Sequence, residues 1–173
     1  MGIPLRLHIG GDIMKTWDEV IKKGLYMYVH RADYAYFYGA KGEVLTENAM
    51  DFLIRAYPNH FKKYTPAQLK QIKNYSVGKI GYDCSGFITA ISGIQGNSTM
   101  QFDTCHDITD NLAAGPAGSL LHRAGHIGID IGYGYFLHMP REGESVVLGK
   151  ISEYAWDLTG QSNQIDMKGS DSR

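Results

Sequence analysis

Two stretches of the chain hold residue types that can perform nucleophilic chemistry. In Gly81-Tyr82-Asp83-Cys84-Ser85-Gly86-Phe87-Ile88-Thr89-Ala90-Ile91, a short polar, glycine-bearing entry runs into apolar residues at helical spacing: Phe87, Ile88, Ile91 and Ile94. Asp83 reads as the N-cap of that helix and Cys84 as a residue of its first turn. The partial positive charge of a helix N-terminus favours thiolate over thiol, and the thiolate is the nucleophile. Cys84 is therefore a candidate nucleophile.

The second stretch, Gly125-His126-Ile127-Gly128-Ile129-Asp130-Ile131-Gly132-Tyr133-Gly134-Tyr135-Phe136-Leu137-His138, supplies a base. His126, Gly128 and Asp130 alternate with Ile127, Ile129 and Ile131, the pattern of a half-buried strand, and Gly132-Tyr133-Gly134 reads as the turn into a second strand. Pairing Ile131 with Tyr135 makes His126 and His138 diagonal neighbours on one face, roughly 7–8 Å apart at the backbone. One imidazole can then orient the other. Cys84 attacking, His126 accepting its proton and His138 holding His126 in the right tautomer form a generalised triad. Asp130 shares that face but lies four residues from His126, too far for the orienting role.

These residues resemble the NlpC family of bacterial cell-wall cysteine peptidases. Asp83-Cys84-Ser85-Gly86-Phe87 is similar to its nucleophile motif, Gly125-His126-Ile127-Gly128-Ile129 to its base strand, and Leu137-His138-Met139-Pro140 to the strand carrying its third polar residue. Upstream, Tyr36-Phe37-Tyr38-Gly39-Ala40 resembles the aromatic-glycine entry segment, with Tyr36 in the place of the tyrosine that lines the site. The resemblance implies a papain-like core and amide hydrolysis through a thioester, with Tyr36, Asp83 and Ser85 at the substrate or oxyanion side. It also implies a substrate: peptide stems of bacterial peptidoglycan, commonly the bond between γ-D-glutamate and a diamino acid. Two departures are plain. Residues 41–78 intervene between the entry segment and the cysteine, and Gly115-Pro116-Ala117-Gly118-Ser119-Leu120-Leu121 lacks the aspartate of the family's proline-glycine-aspartate turn.

The elements that must position these groups follow from the rest of the chain. Residues 12–29 read as a helix capped by Asp12, with Ile13, Trp17, Val20, Ile21 and Leu25 on its apolar face. Tyr26, Tyr28, Tyr34, Tyr36, Phe37 and Tyr38 form the densest aromatic run, read as core packing except for Tyr36. In the insert, Thr46 caps one helix that ends near Tyr57-Pro58, and Thr65-Pro66 opens another. Its lysines, Lys62, Lys63, Lys70, Lys73 and Lys79, make it locally basic, chiefly a solvated face that could also attract acidic wall polymers. Residues 93–104 read as loop and Asp107 to Leu112 as a short helix. Ser145 to Ile151 reads as a third strand, Glu153 to Leu158 as closing one edge, and 161–173 as a frayed polar tail.

The expected fold is α+β and a single domain over 1–173, with helices packed on one side of a small antiparallel sheet that carries His126 and His138. With 173 residues and 43% hydrophobic composition the chain can bury one proper core. A net charge of -1 and no basic run exclude an electrostatic footprint for nucleic acid. No apolar stretch approaches the roughly 18 residues that cross a bilayer, and Met1-Gly2-Ile3-Pro4-Leu5-Arg6 lacks the apolar core of a signal peptide. The expectation is action at a bacterial wall, reached otherwise than by general secretion or with a signal that is not part of this sequence; a phage lysis or tail protein or an injected effector is preferred. Two cysteines make no disulfide framework, so Cys84 and Cys105 are expected reduced, with neither His106 nor His122 in the triad. A monomer needing no cofactor or metal is expected, with an inhibitor or immunity partner left open. An amidase or acyltransferase acting on another conjugate through the same residues, or a non-catalytic wall-binding relative, are the alternatives.

Overall fold

A computed structural model describes residues 13–170. In chain order the elements are α1 (Trp17–Val29), β1 (Tyr34–Tyr36), β2 (Lys41–Val44), α2 (Glu47–Ala56), α3 (Pro58–Phe61), α4 (Pro66–Ser76), β3 (Ile80–Tyr82), α5 (Cys84–Ser92), α6 (Ser98–Phe102), β4 (Cys105–Thr109), β5 (Leu120–Arg123), β6 (His126–Gly132), β7 (Tyr135–His138), β8 (Val147–Lys150) and β9 (Leu158–Ser162). Six strands form an antiparallel sheet in the order β4-β9-β5-β6-β7-β8. The other three form a small sheet, β1-β3-β2, in which β1 runs parallel to β3 and β2 antiparallel to it. Among the described residues no helix is long and apolar enough to cross a membrane.

Period-2 alternation divides the large sheet into two unequal faces. Ile127, Ile129 and Leu137 turn toward Phe87, Ile88 and Ile91 of α5 and Val20 and Met27 of α1, and together they make the main core. The opposite face holds a smaller cluster of Leu121, Phe136, Ile151 and Trp156, and it is here that His126 stacks on Trp156. The hairpin register follows the prediction over Ile129↔Leu137 and Asp130↔Phe136. Its turn is tighter than predicted. A bulge at Ile131 brings Gly132 opposite Tyr135, leaving Tyr133 and Gly134 as a two-residue loop with φ of +57° and +77°. Two successive left-handed residues match the right-handed twist of the flanking strands.

Residues 41–78 are more than two helices. Lys41–Val44 is a strand that joins β3, and Pro58–Phe61 adds a short helix between the two predicted ones, whose Thr46 and Thr65 caps are present. The insert has its own apolar cluster, in which Leu45, Met50, Leu53, Phe61 and Ile72 pack with Ala35 and Phe37 of the entry segment. A buried carboxylate ties it to the β7–β8 connection: Glu142 pairs with His60 Nε2 at 2.6 Å and accepts from the Tyr64 hydroxyl at 2.7 Å.

Four further expectations change. Helix α1 begins at Trp17, where Thr16 and Glu19 form a reciprocal capping box; the predicted Asp12 cap lies outside the described residues. The loop predicted over 93–104 contains α6, capped by Asn97, a signal hidden in a polar run. The helix predicted over Asp107 to Leu112 is the strand β4 with a bulge, because pairing with β9 outweighs the local cap signals. The predicted frayed tail is structured as far as it is described: β9 reaches Ser162 and sits between β4 and β5, Ile165 is buried, and Asp166 bridges Thr16 beside α1. Residues 171–173 of that tail lie outside the described residues.

Gly128 lies close under the Trp156 ring on the His126 face of β6. A Cβ there would stand 2.9 Å from the Trp156 ring and 3.1 Å from the Leu137 carbonyl oxygen. Overpacking at a buried strand position destabilises by about 1–3 kcal/mol, so Gly128→Ala is expected to lose that much unfolding free energy, read as a lower urea midpoint with an unchanged denaturant slope. A neutral substitution would show that Trp156 is free to move away.

Candidate active site

The local sequence builds the Cys84 end of the site through its cap. Asp83 has extended backbone, and its Oδ1 accepts from the Gly86 N–H at 2.6 Å, which starts α5 at Cys84. The same carboxylate accepts from the Gly39 N–H at 3.2 Å and from Lys41 Nζ at 2.7 and 2.9 Å. Ser85 Oγ donates to Asp83 Oδ1 at 3.0 Å and accepts from Lys41 Nζ at 2.8 Å. Lys41 therefore directs all three ammonium protons at the cap of the cysteine helix. Sequence reasoning passed it over, naming other lysines of the insert as the basic flank. The one signal was its place just after the Tyr-Gly entry segment.

Cys84 is buried against the start of β6. Its thiol donates to the Gly125 carbonyl at a sulfur-to-oxygen distance of 4.0 Å, and the Ile127 and Ser85 N–H groups are directed at the sulfur. The sulfur thus meets the main chain at Gly125, next to His126. Burial pushes the thiol up to about 11, with the Asp83 carboxylate adding to the rise; the two N–H groups and Lys41 act in the opposite direction. Burial thus works against the activation expected from the helix N-terminus.

His126 Nε2 lies 2.8 Å from His138 Nδ1, so the predicted diagonal pair is a direct hydrogen bond. Both rings are dry. Trp156 stacks flat on His126 with centroids 5.3 Å apart and planes within 5°, while Tyr154 and Phe136 stand edge-on to His138, each at 4.9 Å. Burial lowers His126 to about 4 and His138 to about 3, with Arg123 adding a smaller push in the same direction. Tyr154 and Trp156 belong to the segment read only as closing an edge. Two aromatics at i and i+2 after the last polar turn were the available signal.

The other predicted residues fall as follows. Tyr36 is buried in the same cluster as Cys84, and its phenol is pushed upward by burial and by the neighbouring thiol, so it remains a donor. Asp83 and Ser85 line a cleft of about 600 Å³ with Cys84, together with Tyr38, Lys41 and Tyr57. Lys73 is paired with Glu47 and Asp51, away from that cleft. Cys105 is a free, partly buried thiol, as expected, and His106 and His122 stand apart, one on Asp107 and the other stacked on Phe102. Among the described residues no three His, Cys, Asp or Glu side chains gather as metal ligands.

No family model matches the chain, and no curated protein matches it. Among solved structures it is similar to the NlpC/p60 domain of the peptidoglycan hydrolase SagA, with a TM-score of 0.51 and 21% identity, covering 84% of this chain and 98% of that one. NlpC2 from Trichomonas vaginalis is also similar, at a TM-score of 0.47 and 11% identity, over 90% of this chain and 48% of that one. The likeness to the first shows that the chain has the α+β, papain-like fold of an NlpC/p60 domain.

Proposed function

We propose that the chain is a cysteine hydrolase that cleaves amide bonds in the peptide stems of bacterial peptidoglycan. One observation carries the reading: a thiol at a helix N-terminus abuts the strand that presents His126, and His126 is hydrogen-bonded through Nε2 to a second buried histidine. That bond leaves His126 Nδ1 as the nitrogen available to Cys84. The solved neighbour that shows the fold is a peptidoglycan hydrolase by description, which supports the substrate class. The finer assignment is the bond between γ-D-glutamate and a diamino acid.

The chemistry follows from the resting protonation states. Cys84 Sγ attacks the amide carbonyl as its proton passes to His126 Nδ1. His126 becomes an imidazolium whose Nε2–H still donates to His138 Nδ1, so the charge is formed against a fixed acceptor in a dry setting. The oxyanion is held by main-chain N–H groups at the N-terminus of α5, with the Tyr36 phenol nearby. His126 then gives the proton to the departing amine, leaving a thioester. Water attacks the thioester, its proton passing to His126, and the carboxylic acid leaves with the thiol restored.

Digestion of purified peptidoglycan, read by mass spectrometry, tests the reading directly. Stem-peptide fragments are expected from the wild-type protein and none from Cys84→Ala, while His126→Ala is expected to lose about 10²–10⁴-fold in rate. Wild-type protein whose Cys84 reacts with a thiol probe yet releases nothing from any wall type would overturn the wall substrate and move the assignment to acyl transfer elsewhere.

The pH profile carries a second prediction. Because burial holds His126 near 4, kcat/KM is expected to stay level from neutral pH down to about 5 and to fall through about 4, where imidazolium can no longer accept the thiol proton. An ordinary histidine would give a limb near 6.5. A midpoint there would show that the His126 ring is hydrated. Stability moves the same way: from pH 6.5 down to about 4 for His126 and about 3 for His138, the unfolded chain binds protons that the folded histidines refuse, so folding weakens as pH falls. A parallel melting series separates the two effects.

A further inference from the structure

The strand that carries His126 carries a second buried polar group that the proposed chemistry does not use. Asp130 stands four residues farther along β6, about 13 Å from His126 at the usual rise of a strand. It is 4% exposed. Its Oδ1 accepts from the Gly132 N–H at 2.7 Å, and among the described residues it has no other hydrogen-bond partner and no cation. Burial alone raises it to about 7. The carboxyl group lines a cavity of about 560 Å³ whose walls include Leu112, Ala113, Gly115, Tyr133 and Ile151. Cys84, His126 and His138 have no part in it.

Two more polar groups lack partners on the same side. Ser119 Oγ and Thr159 Oγ1 are fully buried and have no hydrogen bond. Ser119 is paired with Asp130 across the ladder, the Asp130 N–H donating to its carbonyl at 2.9 Å. Both flank Gly115: a Cβ there would lie 2.7 Å from Thr159 Oγ1 and 3.4 Å from Ser119 Cβ. A buried carboxylate with a single N–H partner at the cavity, and two unpaired hydroxyls behind its Gly115 wall, are a costly arrangement for a stable fold. The occupant that would satisfy them is restricted by chemistry. An anion meets a carboxylate, and a neutral apolar molecule leaves every acceptor unpaired. A primary ammonium brings three N–H donors and a compensating charge, and an aliphatic stem suits the Leu112 and Ile151 walls.

We propose that this cavity binds a protonated primary amine carried on an apolar stem, with Asp130 as its counter-charge. A free diamine and the side chain of a diamino acid in a peptide share that chemistry. The site stands whether or not the chain cleaves peptidoglycan, since it uses none of the proposed catalytic groups.

Calorimetric titration of the whole protein at about pH 8 with 1,5-diaminopentane, and separately with Nα-acetyl-lysine amide, tests the proposal. Saturable binding of an amine is expected. It should weaken about tenfold or more in Asp130→Asn, which keeps an acceptor for the Gly132 N–H, and vanish in Ala113→Trp, where a large ring on an exposed turn fills the cavity. Binding of the diamine alone identifies a free-amine site; binding of both identifies one that a peptide side chain can enter. No saturable binding of either amine to the folded protein, equal affinity in Asp130→Asn, or equal binding of 1-pentanol would overturn the proposal.

Discussion

The Asp83 carboxylate is the contact through which the rest of the site is assembled. It caps the cysteine helix, receives the Gly39 N–H of the aromatic-glycine segment and holds Lys41 of the insert. Two pieces of chain, 42–44 residues apart in sequence, are thereby fixed around one group, one residue before the thiol. The magnitudes rank the contacts. An N-cap is worth about 0.5–2 kcal/mol, whereas an ion pair with a half-exposed lysine contributes about 0–1 kcal/mol. Stability therefore rests on the cap, and the contribution of Lys41 is electrostatic and local. A carboxylate next to the sulfur opposes thiolate formation, and the ammonium beside it offsets that opposition.

Burial acts in one sense on both partners of the proposed reaction. It pushes the Cys84 thiol up to about 11 and the His126 imidazole down to about 4, so each is shifted toward its neutral form. In the proposed mechanism charge separation comes at the moment of attack, when the oxyanion forms at the helix N-terminus and the imidazolium forms against His138. The aromatic wall of Trp156, Tyr154 and Phe136 is what makes this so. It encloses the histidines, and in the proposed mechanism it holds their planes for the step that needs the bond to His138 already made.

How much of this was legible follows from the range of the interactions. The cap at Asp83, the helix it opens and the diagonal placement of His126 and His138 are set within a few residues or by the two-residue period of a hairpin, and the pattern shows them. Lys41, Trp156 and Tyr154 reach the site from elements whose position depends on the whole topology, so their types alone said nothing. Local signals also misled. Asp107 and Thr109 invite a helix, yet β4 has an open sheet edge at β9 to join, and ladder pairing over five residues outweighs a cap. The polar composition after Gln161 suggested fraying, but Ile165 and the Asp166 bridge anchor it beside α1. Thiol activation shows the same split: the helix N-terminus is visible in the sequence, and the burial that opposes it is not.

The insert is tolerated because it enters and leaves through the sheet that it extends. Lys41–Val44 pairs with the strand leading into the nucleophile, so the detour of residues 41–78 returns to within one strand of its starting point. Its free side is not left to float. His60 and Tyr64 close on Glu142 from the β7–β8 connection, four residues beyond His138, and Tyr38 stacks on His60 at 3.8 Å. Tyr38 in turn meets Tyr57 edge-on, and both rings line the cleft beside Cys84. One wall of the cleft is therefore a run of stacked rings anchored on a carboxylate from the histidine side of the molecule. The insert thereby adds a second link, outside the main core, between the helix that carries the thiol and the hairpin that carries the imidazoles.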